Sequence, residues 1–255
     1  MKTARPFGFA GKFLRLDFSS EIAMTEKFLP SLMEKYMGGR GVGIHFLYKE
    51  VDPSLDPFDP GNKVIIAPGP LTGTGIPAGT KTTVVTKSPL TGGVGYSLAS
   101  GSFGSWLRFA GYDFIIVEGK AAKPTWVYVK DGQITFQKAD DLWGLNTLET
   151  RQKIADKVGS QASVLCIGPA GEKLVRYACI IMDRREAGRG GTGAVLGSKN
   201  LKAIVVDPQK KELNLHNEEE LKNLTRTYNQ IIKEDPACQT YRYMGTSRSC
   251  RSGNM

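Results

Sequence analysis

Glycines and arginines are concentrated in one stretch of the chain, and their spacing is typical of a binding site for an anion. Residues 186–206 are EAGRGGTGAVLGSKNLKAIVV, in which Gly188, Gly190 and Gly193 have the G-x-G-x-x-G spacing of dinucleotide-binding loops. Arg185 and Arg189 flank these glycines, and guanidinium groups make forked contacts with phosphate oxygens. Three interpretations are open: a dinucleotide site, another kind of phosphate site, or a tight turn with solvated arginines.

The surroundings of this loop argue against the dinucleotide interpretation. A dinucleotide fold needs a strand before the loop, a long helix after it and an acidic residue about 20 positions further on. The preceding MDRREA is charged and untypical of a strand end, the helix predicted near 194–199 is short, and Asp207 comes early. The chain also has no G-x-x-x-x-G-K-[ST] phosphate loop. What remains is a general anion cradle of backbone N–H groups at a helix N-terminus.

The composition favours a globular protein with an anionic partner. The 255 residues include 30 glycines and carry a formal net charge of +9. The basic residues are scattered without a run of five or more, so we expect no nucleic-acid partner. No signal-peptide pattern opens the chain and no apolar run reaches the roughly 18 residues of a membrane span, so we expect a cytoplasmic protein with no membrane partner.

The cysteines and histidines do not have the spacing of a metal site. No C-x-x-C occurs, so we expect neither a disulfide framework nor a closed zinc site. The two histidines, His45 and His216, are too isolated to form a metal site, and a packing role is expected for His45. Two of the cysteines lie in apolar runs and are expected to pack as small hydrophobes. The four cysteines are Cys166, Cys179, Cys238 and Cys250.

The apolar pattern predicts a strand-rich region up to about residue 207 and a helix after residue 217. Asp131-Gly132 predicts a hairpin turn, and Asn146 with Glu149 predicts a capped helix over 146–158. Residues 25–48 are predicted to be mainly helical, and the last twenty residues show no periodicity. A similar strand followed by a Gly-Pro turn begins at Val64 and at Val164, which leaves duplication of a β-rich half and chance similarity as equal alternatives.

Five blocks of the sequence together resemble, in the same order, segments of the tungsten-containing aldehyde ferredoxin oxidoreductases. They are GPLTGTG (69–75), VVTKSPLTG (84–92), FGSWLRFAGYDFIIVEGKA (103–121), IGPAGE (167–172) and RGGTGAVLGSKNLKAI (189–204). The resemblance extends from about Phe9 to Val206, which corresponds to the N-terminal domain of that family. It implies an α+β fold with two packed, mostly antiparallel β-sheets and a few helices over residues 1–208. Residues 209–255 would then be the incomplete start of a helical domain.

The resemblance also implies a cofactor. In that family a tungsten or molybdenum bis-pyranopterin lies on this domain, and a magnesium ion bridges the two pterins. The reaction oxidises an aldehyde to a carboxylic acid. The backbone carbonyls of Leu98 and Glu186 would reach the magnesium. Carried onto this sequence, the cofactor-binding residues are Lys81, Leu98, Ser100, Arg185, Glu186, Gly188 and Arg189.

Two departures from the family pattern concern this same site. Lys81 stands where members of the family can carry an arginine, and lysine keeps the charge but loses the fork. Leu98-Ala99-Ser100 stands where Asn-x-Gly is frequent. The Lys81 contact is therefore expected to be looser, and backbone contacts rather than side-chain contacts are expected at residues 98–100.

The remaining machinery of the family is expected outside this chain. The [4Fe–4S] cluster is held by a C-x-x-C-x-x-x-C run and a distant cysteine in the helical domains, and none of the four cysteines here matches that motif. The resemblance therefore predicts an oxidoreductase base domain, with no catalytic residue assigned. Its expected partners are ferredoxin or an electron-transfer subunit, and the missing helical half or a second copy. A non-catalytic pterin-cofactor carrier and an inactive truncated remnant are the alternatives.

Overall fold

Residues between 12 and 206 form twelve strands in two sheets, in a computed structural model that describes residues 6–249. The strands of sheet 1 are β1 (Lys12–Asp17), β2 (Ile22–Lys27), β3 (Val64–Pro68), β4 (Thr82–Lys87), β5 (Val94–Ala99) and β6 (Ile115–Glu118). Those of sheet 2 are β7 (Thr125–Lys130), β8 (Gln133–Lys138), β9 (Ser163–Cys166), β10 (Ile180–Met182), β11 (Arg185–Ala187) and β12 (Leu201–Val206). The first sheet has the strand order β2-β1-β6-β3-β4-β5, and the second has the order β11-β10-β9-β12-β7-β8.

Eight α-helices connect or follow these strands within residues 6–249. Helix α4 begins with the capping box that the sequence predicts, because the Asn146 side chain accepts from the Glu149 amide and Glu149 reaches back to Asn146. The helices are α1 (Pro30–Tyr36), α2 (Gly39–Glu50), α3 (Phe103–Phe109), α4 (Thr147–Val158), α5 (Pro169–Glu172), α6 (Thr192–Ser198), α7 (Glu218–Glu234) and α8 (Pro236–Met244), and a short 3₁₀ segment follows at Gly245–Ser249.

The two sheets have the same topology, strand for strand. In each of them four neighbouring pairs are antiparallel, and one pair, β1 with β6 or β7 with β12, is parallel. Strands β1–β6 and β7–β12 therefore occupy equivalent positions, with β5 and β11 as the corresponding edge strands. The similar segments at Val64 and Val164 lie in β3 and β9, which are equivalent strands. This agreement supports the duplication over chance similarity, and the mostly antiparallel double-sheet fold is confirmed.

Three apolar cores hold the sheets in layers. The central core lies between the sheets and includes residues of the short helices α3 and α6, such as Leu107 and Leu196. Helix α3 of the first repeat contacts β9 and β12, and α6 of the second repeat contacts β3 and β4, so each repeat inserts a helix against the sheet of the other. Helices α1 and α2 cover the outer face of sheet 1, and α4 covers that of sheet 2. Central strands such as β3 and β12 are consequently buried along their whole length, which explains their continuous apolar sequences.

Local patterns located some elements correctly and others not. The hairpin at Asp131-Gly132 is confirmed as the turn between β7 and β8. The helix predicted over 25–48 is wrong at its start, because 22–27 form strand β2, and the helical region is broken between α1 and α2. The charged residues before the glycine loop do form a strand, the edge strand β11. Residues 236–244 of the tail are helical as α8, although the sequence shows no periodicity there.

The C-terminal helices rest only lightly on the sheets. Neither α7 nor α8 has a buried residue, and apolar side chains of α7 such as Leu224 and Ile231 are about half exposed. The segment before α7 is instead bound to the N-terminal part of the chain, because the Asn214 carbonyl accepts a hydrogen bond from the Gly8 amide at 2.7 Å. Within residues 6–249 no helix has the length and apolar character needed to cross a bilayer.

Candidate functional site

The predicted site residues meet where the edge strands of the two sheets approach each other. Strands β5 and β11 are neighbours in space but belong to different sheets, so no backbone ladder joins them. We call this place the seam and define it as residues 97–102 of sheet 1 and residues 183–190 of sheet 2. At the seam a Cβ on Gly101 would lie 3.6 Å from Cγ of Arg185, which shows how closely the two segments approach.

The structure brings all seven predicted residues to the seam or directly beside it. Leu98, Ser100, Arg185, Glu186, Gly188 and Arg189 lie in the two seam segments. Lys81 immediately precedes β4, whose first residue Thr82 pairs with Ala99, so Lys81 is adjacent to Ser100. Lys81, Arg185 and Arg189 are all exposed, and Leu98 presents 49% of its surface to solvent.

The cations at the seam have no acidic partner of their own. Among the ion pairs of the described chain, none involves Lys81, Arg185 or Arg189. A cleft of about 750 Å³ continues the positive surface beyond Gly101, and its lining includes Arg151, Arg184, Arg185 and Lys211. Unpaired cations converging from several elements favour a negatively charged ligand.

The glycine loop itself is anchored to the first sheet by serines. The Arg189 amide donates to Ser97 Oγ at 2.9 Å, and Ser88 Oγ donates to the Gly190 carbonyl at 2.8 Å. Both bonds connect sheet 2 to sheet 1, and they place Arg189 against β5. Neither serine could be identified from the sequence, since a serine near a turn gives no signal that separates an anchoring role from solvation.

The predicted cradle at the helix N-terminus is wrong. Helix α6 is buried over its whole length, and the Gly193 amide at its start donates to the Ala178 carbonyl. A Cβ on Gly191 would overlap the carbonyl oxygen of Arg176, and one on Gly193 would overlap that of Cys179. These two glycines therefore permit close packing inside the protein and are not available to a ligand. Only Gly188 and the flanking arginines of this motif are exposed.

Backbone geometry makes the Leu98 carbonyl available at the edge of sheet 1. The Ser88 amide donates to the Gly93 carbonyl at 2.8 Å, which starts the alternation of hydrogen-bonded and non-hydrogen-bonded pairs between β4 and β5. Counting along the register places Thr83 and Leu98 in a non-hydrogen-bonded pair. The peptide N–H and C=O of Leu98 therefore point away from β4, toward the free edge.

The same reasoning makes the Glu186 carbonyl available at the edge of sheet 2. The Asp183 amide donates to the Val164 carbonyl of the β9 side at 2.8 Å, so the peptide groups of Met182 face β11 and pair with Arg185. Glu186, opposite Ile181, then lies in a non-hydrogen-bonded pair. Equivalent strands of the two repeats thus each present one outward carbonyl at the seam.

Two further residues at the site escaped sequence analysis. Asp183 accepts hydrogen bonds from Ser102 Oγ and Ser163 Oγ, each at 2.6 Å. Arg40, at the start of α2, lies 4.8 Å from the ring centroid of Tyr96, two residues before Leu98 on the same face of β5. The glycines around Arg40 suggested only a loop-rich helix, so no sequence signal related it to β5.

Cys166 and His45 pack against neighbouring residues in the described part of the chain. Cys166 is buried, and burial raises the pKa of its thiol to about 12. The His45 ring stacks on Tyr36 at 4.4 Å, and partial burial with nearby Lys49 and Lys35 lowers its pKa. Residues 6–249 contain no group of three or more His, Cys, Asp or Glu side chains placed to hold a metal ion. Cys250 lies outside the described residues.

Comparison with known proteins places this fold in a family of oxidoreductases. Residues 13–208 match the family model described as aldehyde ferredoxin oxidoreductase, N-terminal domain. The chain belongs to the aldehyde ferredoxin oxidoreductase family, whose members include tungsten oxidoreductases, and the resemblance seen in the sequence is confirmed.

The relatives show how far the similarity extends. The chain is 50% identical over 206 residues to the tungsten-containing aldehyde ferredoxin oxidoreductase of Pyrococcus furiosus, which covers 80% of this chain and 34% of the relative. It is 33% identical to the aliphatic sulfonate oxidoreductase, WOR-like subunit, of the same organism, over 94% of this chain and 40% of the relative. The chain therefore spans about a third of the length of the curated relatives that it matches.

A solved structure has the same fold. The active-site complex BamBC of benzoyl coenzyme A reductase, in complex with 1,5-dienoyl-CoA, superposes with a TM-score of 0.86 at 35% sequence identity. The match covers 89% of this chain and 35% of that one.

Proposed function

We propose that residues 1–208 form the base on which a tungsten, or molybdenum, bis-pyranopterin binds, with magnesium between its two pterins. The complete protein would oxidise aldehydes to carboxylic acids and pass the electrons to ferredoxin or to a partner subunit. Residues 209–255 would begin its helical part. The names of the relatives support the metal and the reaction class, since they are tungsten-containing and aldehyde oxidoreductases.

One observation carries this proposal: the equivalent edge strands of the two repeats meet at a single seam. Strands β5 and β11 occupy the same position in their sheets, and each has an outward-facing carbonyl, at Leu98 and at Glu186. A ligand made of two equivalent halves joined by a cation matches such an arrangement. Backbone carbonyl oxygens are also the hard ligands that magnesium prefers.

The side chains at the seam fit the charge and shape of such a ligand. Exposed Arg185 and Arg189 can each form a forked pair with a phosphate, and Lys81 supplies a compact charge without a fork. Leu98, half exposed on the face beside Tyr96, offers apolar surface to a ring. No carboxylate pairs with any of the three cations in the described chain, so none competes with an anionic ligand.

In this proposal the chain binds and orients the cofactor and does not take part in proton transfer. When bound, the tungsten centre supplies the two-electron redox chemistry. Arg185 and Arg189 hold the phosphates, Gly188 leaves room for the ligand to approach the backbone, and Ser100 lies within the same segment as Leu98. The [4Fe–4S] cluster is assigned to the helical part of the protein, because Cys166, Cys179 and Cys238 have neither the spacing nor the grouping of cluster ligands.

The experiment compares cofactor retention in arginine variants produced in a tungstate-supplied host. Arg189→Ala and Arg185→Ala remove seam guanidiniums, while Arg242→Ala removes an exposed guanidinium from α8 as a matched control. We expect tungsten and organic phosphate per chain to fall at least about fivefold in the seam variants, because each charge-assisted pair contributes roughly 1.5–3 kcal/mol. The control should retain the wild-type content.

Thermal unfolding of the same variants separates retention from stability. The seam arginines are exposed and make no ion pair, so in cofactor-free preparations the unfolding temperatures of the seam variants should match that of the control. Equal tungsten and phosphate in all three variants and the wild type would contradict the proposed site.

A further inference from the structure

The turn between β10 and β11 contains a carboxylate that joins both sides of the seam. Asp183 Oδ2 accepts from Ser102 Oγ of sheet 1 and from Ser163 Oγ of sheet 2, both at 2.6 Å. Its other oxygen, Oδ1, accepts from the Val164 amide at 2.9 Å. Three donors from two sheets thus converge on one side chain, and only the Ser102 bond crosses the seam.

The position of Asp183 in the sequence relates this cluster to the site. Asp183 comes two residues before Arg185, and Ser102 comes two residues after Ser100. The Ser102–Asp183 bond therefore ties together the two segments that contain the proposed cofactor-binding residues. Asp183 also adopts φ 55°, a left-handed conformation that aspartate tolerates better than most residues, so the side chain and the turn geometry suit the same residue type.

The seam depends on such bonds because it has no backbone ladder. Two hydrogen bonds hold the C-terminal end of β11, where the glycine loop begins. They join the Arg189 amide to Ser97 and Ser88 to the Gly190 carbonyl. The bond between Ser102 and Asp183 holds the N-terminal end of β11, where the turn from β10 enters this strand. At 2.6 Å the bond between Ser102 and Asp183 is the shortest of the three, against 2.9 Å and 2.8 Å for the other two.

We propose that Asp183 is a positioning residue, whose carboxylate sets the placement of the Leu98 edge relative to the Glu186 edge through Ser102. The effect of Asp183 on cofactor binding rests on the proposed function, whereas its control of the seam geometry does not. The two parts are therefore measured separately.

Two serine variants of the full chain separate the two hydroxyl bonds to Asp183. Ser102→Ala removes the one that crosses the seam, and Ser163→Ala removes the one to the same Oδ2 atom that stays within sheet 2. Ser102→Thr keeps the hydroxyl and serves as the rescue variant. The readout is backbone amide hydrogen exchange over residues 97–102 and 184–190, followed by mass spectrometry of the peptides.

We expect Ser102→Ala to speed exchange in both seam segments by about tenfold, including the Arg189 amide that donates to Ser97. Ser163→Ala should change the exchange rate in these two segments by less than about twofold, and Ser102→Thr should exchange at the wild-type rate. Equal acceleration in both alanine variants, or none in Ser102→Ala, would overturn the control of the seam by Asp183.

Tungsten content, measured on the same preparations, tests the positioning role. Loss of tungsten in Ser102→Ala, with retention in Ser163→Ala and Ser102→Thr, is the expected result. Wild-type tungsten content in Ser102→Ala despite faster exchange would overturn positioning. If the wild-type chain itself holds no tungsten or pterin, the proposed function fails, while the exchange data still decide whether Asp183 controls the seam.

Discussion

Lys199 is a buried lysine of the second repeat, in contact with the first-repeat segments that contain Pro60 and Gly119. Its ammonium donates to the carbonyls of Pro60 and Gly119, at 3.0 and 3.1 Å, and its side chain is fully buried. Burial lowers its pKa to about 7, and nearby Lys63 adds to this effect, although carboxylates such as Glu118 oppose it. Asp59 and Asp17 are the other acidic groups that face it.

This lowered pKa predicts that stability rises with pH above neutrality. Between about pH 7 and pH 10 the unfolded chain holds a proton on Lys199 that the folded chain has released, so the free energy of unfolding increases with pH. The slope from this one group approaches about 1.4 kcal/mol per pH unit. In Lys199→Met this contribution should vanish, as measured by urea unfolding across that range.

Lys123→Met, at an exposed lysine, controls for the loss of one positive charge. Its pH dependence should follow that of the wild type. If Lys199→Met shows the same slope as the wild type, Lys199 is not the group responsible.

At the residue scale the sequence identified the exposed residues of the seam better than the residues that anchor it. Arg185 and Arg189 could be identified because their charge and their neighbouring glycines are visible in the sequence. Gly191 and Gly193 were misinterpreted, because a glycine that admits a ligand and one that admits a neighbouring carbonyl look identical until the partner segment, here 176–179, is in place. Asp183 and Ser102 lie 81 positions apart, and no local pattern relates them.

At the element scale, the two edge strands of the seam lack the continuous apolar sequence of the central strands. Strand β11 has only three residues, two of them exposed and charged, and β5 includes Gly95 and Ser97 among its six residues. Neither has the apolar run by which β3, β6 and β12 could be predicted. Edge strands that border a ligand do not need apolar faces on both sides, so periodicity alone does not detect them.

The C-terminal elements differ in how much they contribute to stability, which predicts two outcomes for truncation. Ending the chain after His216 removes α7 and α8, which have no buried residue, and the unfolding temperature should fall by less than about 3 °C. Ending it after Asp207 also removes the Asn214 bond to Gly8 and the packing of Phe7 on His216 at 5.0 Å. That variant should lose roughly 5 °C or more.

Calorimetry of the two shortened chains beside the full one provides the measurement. Equal unfolding temperatures for both truncations would show that the segment 208–216 adds nothing to the fold. A large loss on removing α7 and α8 alone would mean that these helices cover core surface.

At the scale of the whole molecule, duplication explains both the fold and the place of the site. The short helices α3 and α6 lie in the common core, and each contacts the sheet of the other repeat. The edge strands β5 and β11 of the two repeats meet at the seam. The sequence indicated this only through the segments at Val64 and Val164, because the strand order that makes the repeats equivalent depends on long-range pairing. The resemblance to the family supplied the fold class that local patterns could not, and the family match over residues 13–208 confirms it.

We infer that the seam between the two repeats holds a metal bound by two pterins. The most direct measurement is the tungsten, molybdenum and pterin content of the full chain purified from a tungstate-supplied host, by elemental analysis and by fluorescence of the released pterin. The account predicts one of these metals in the folded protein, with pterin in twofold molar excess over it. A folded protein that contains neither metal nor pterin would contradict the account.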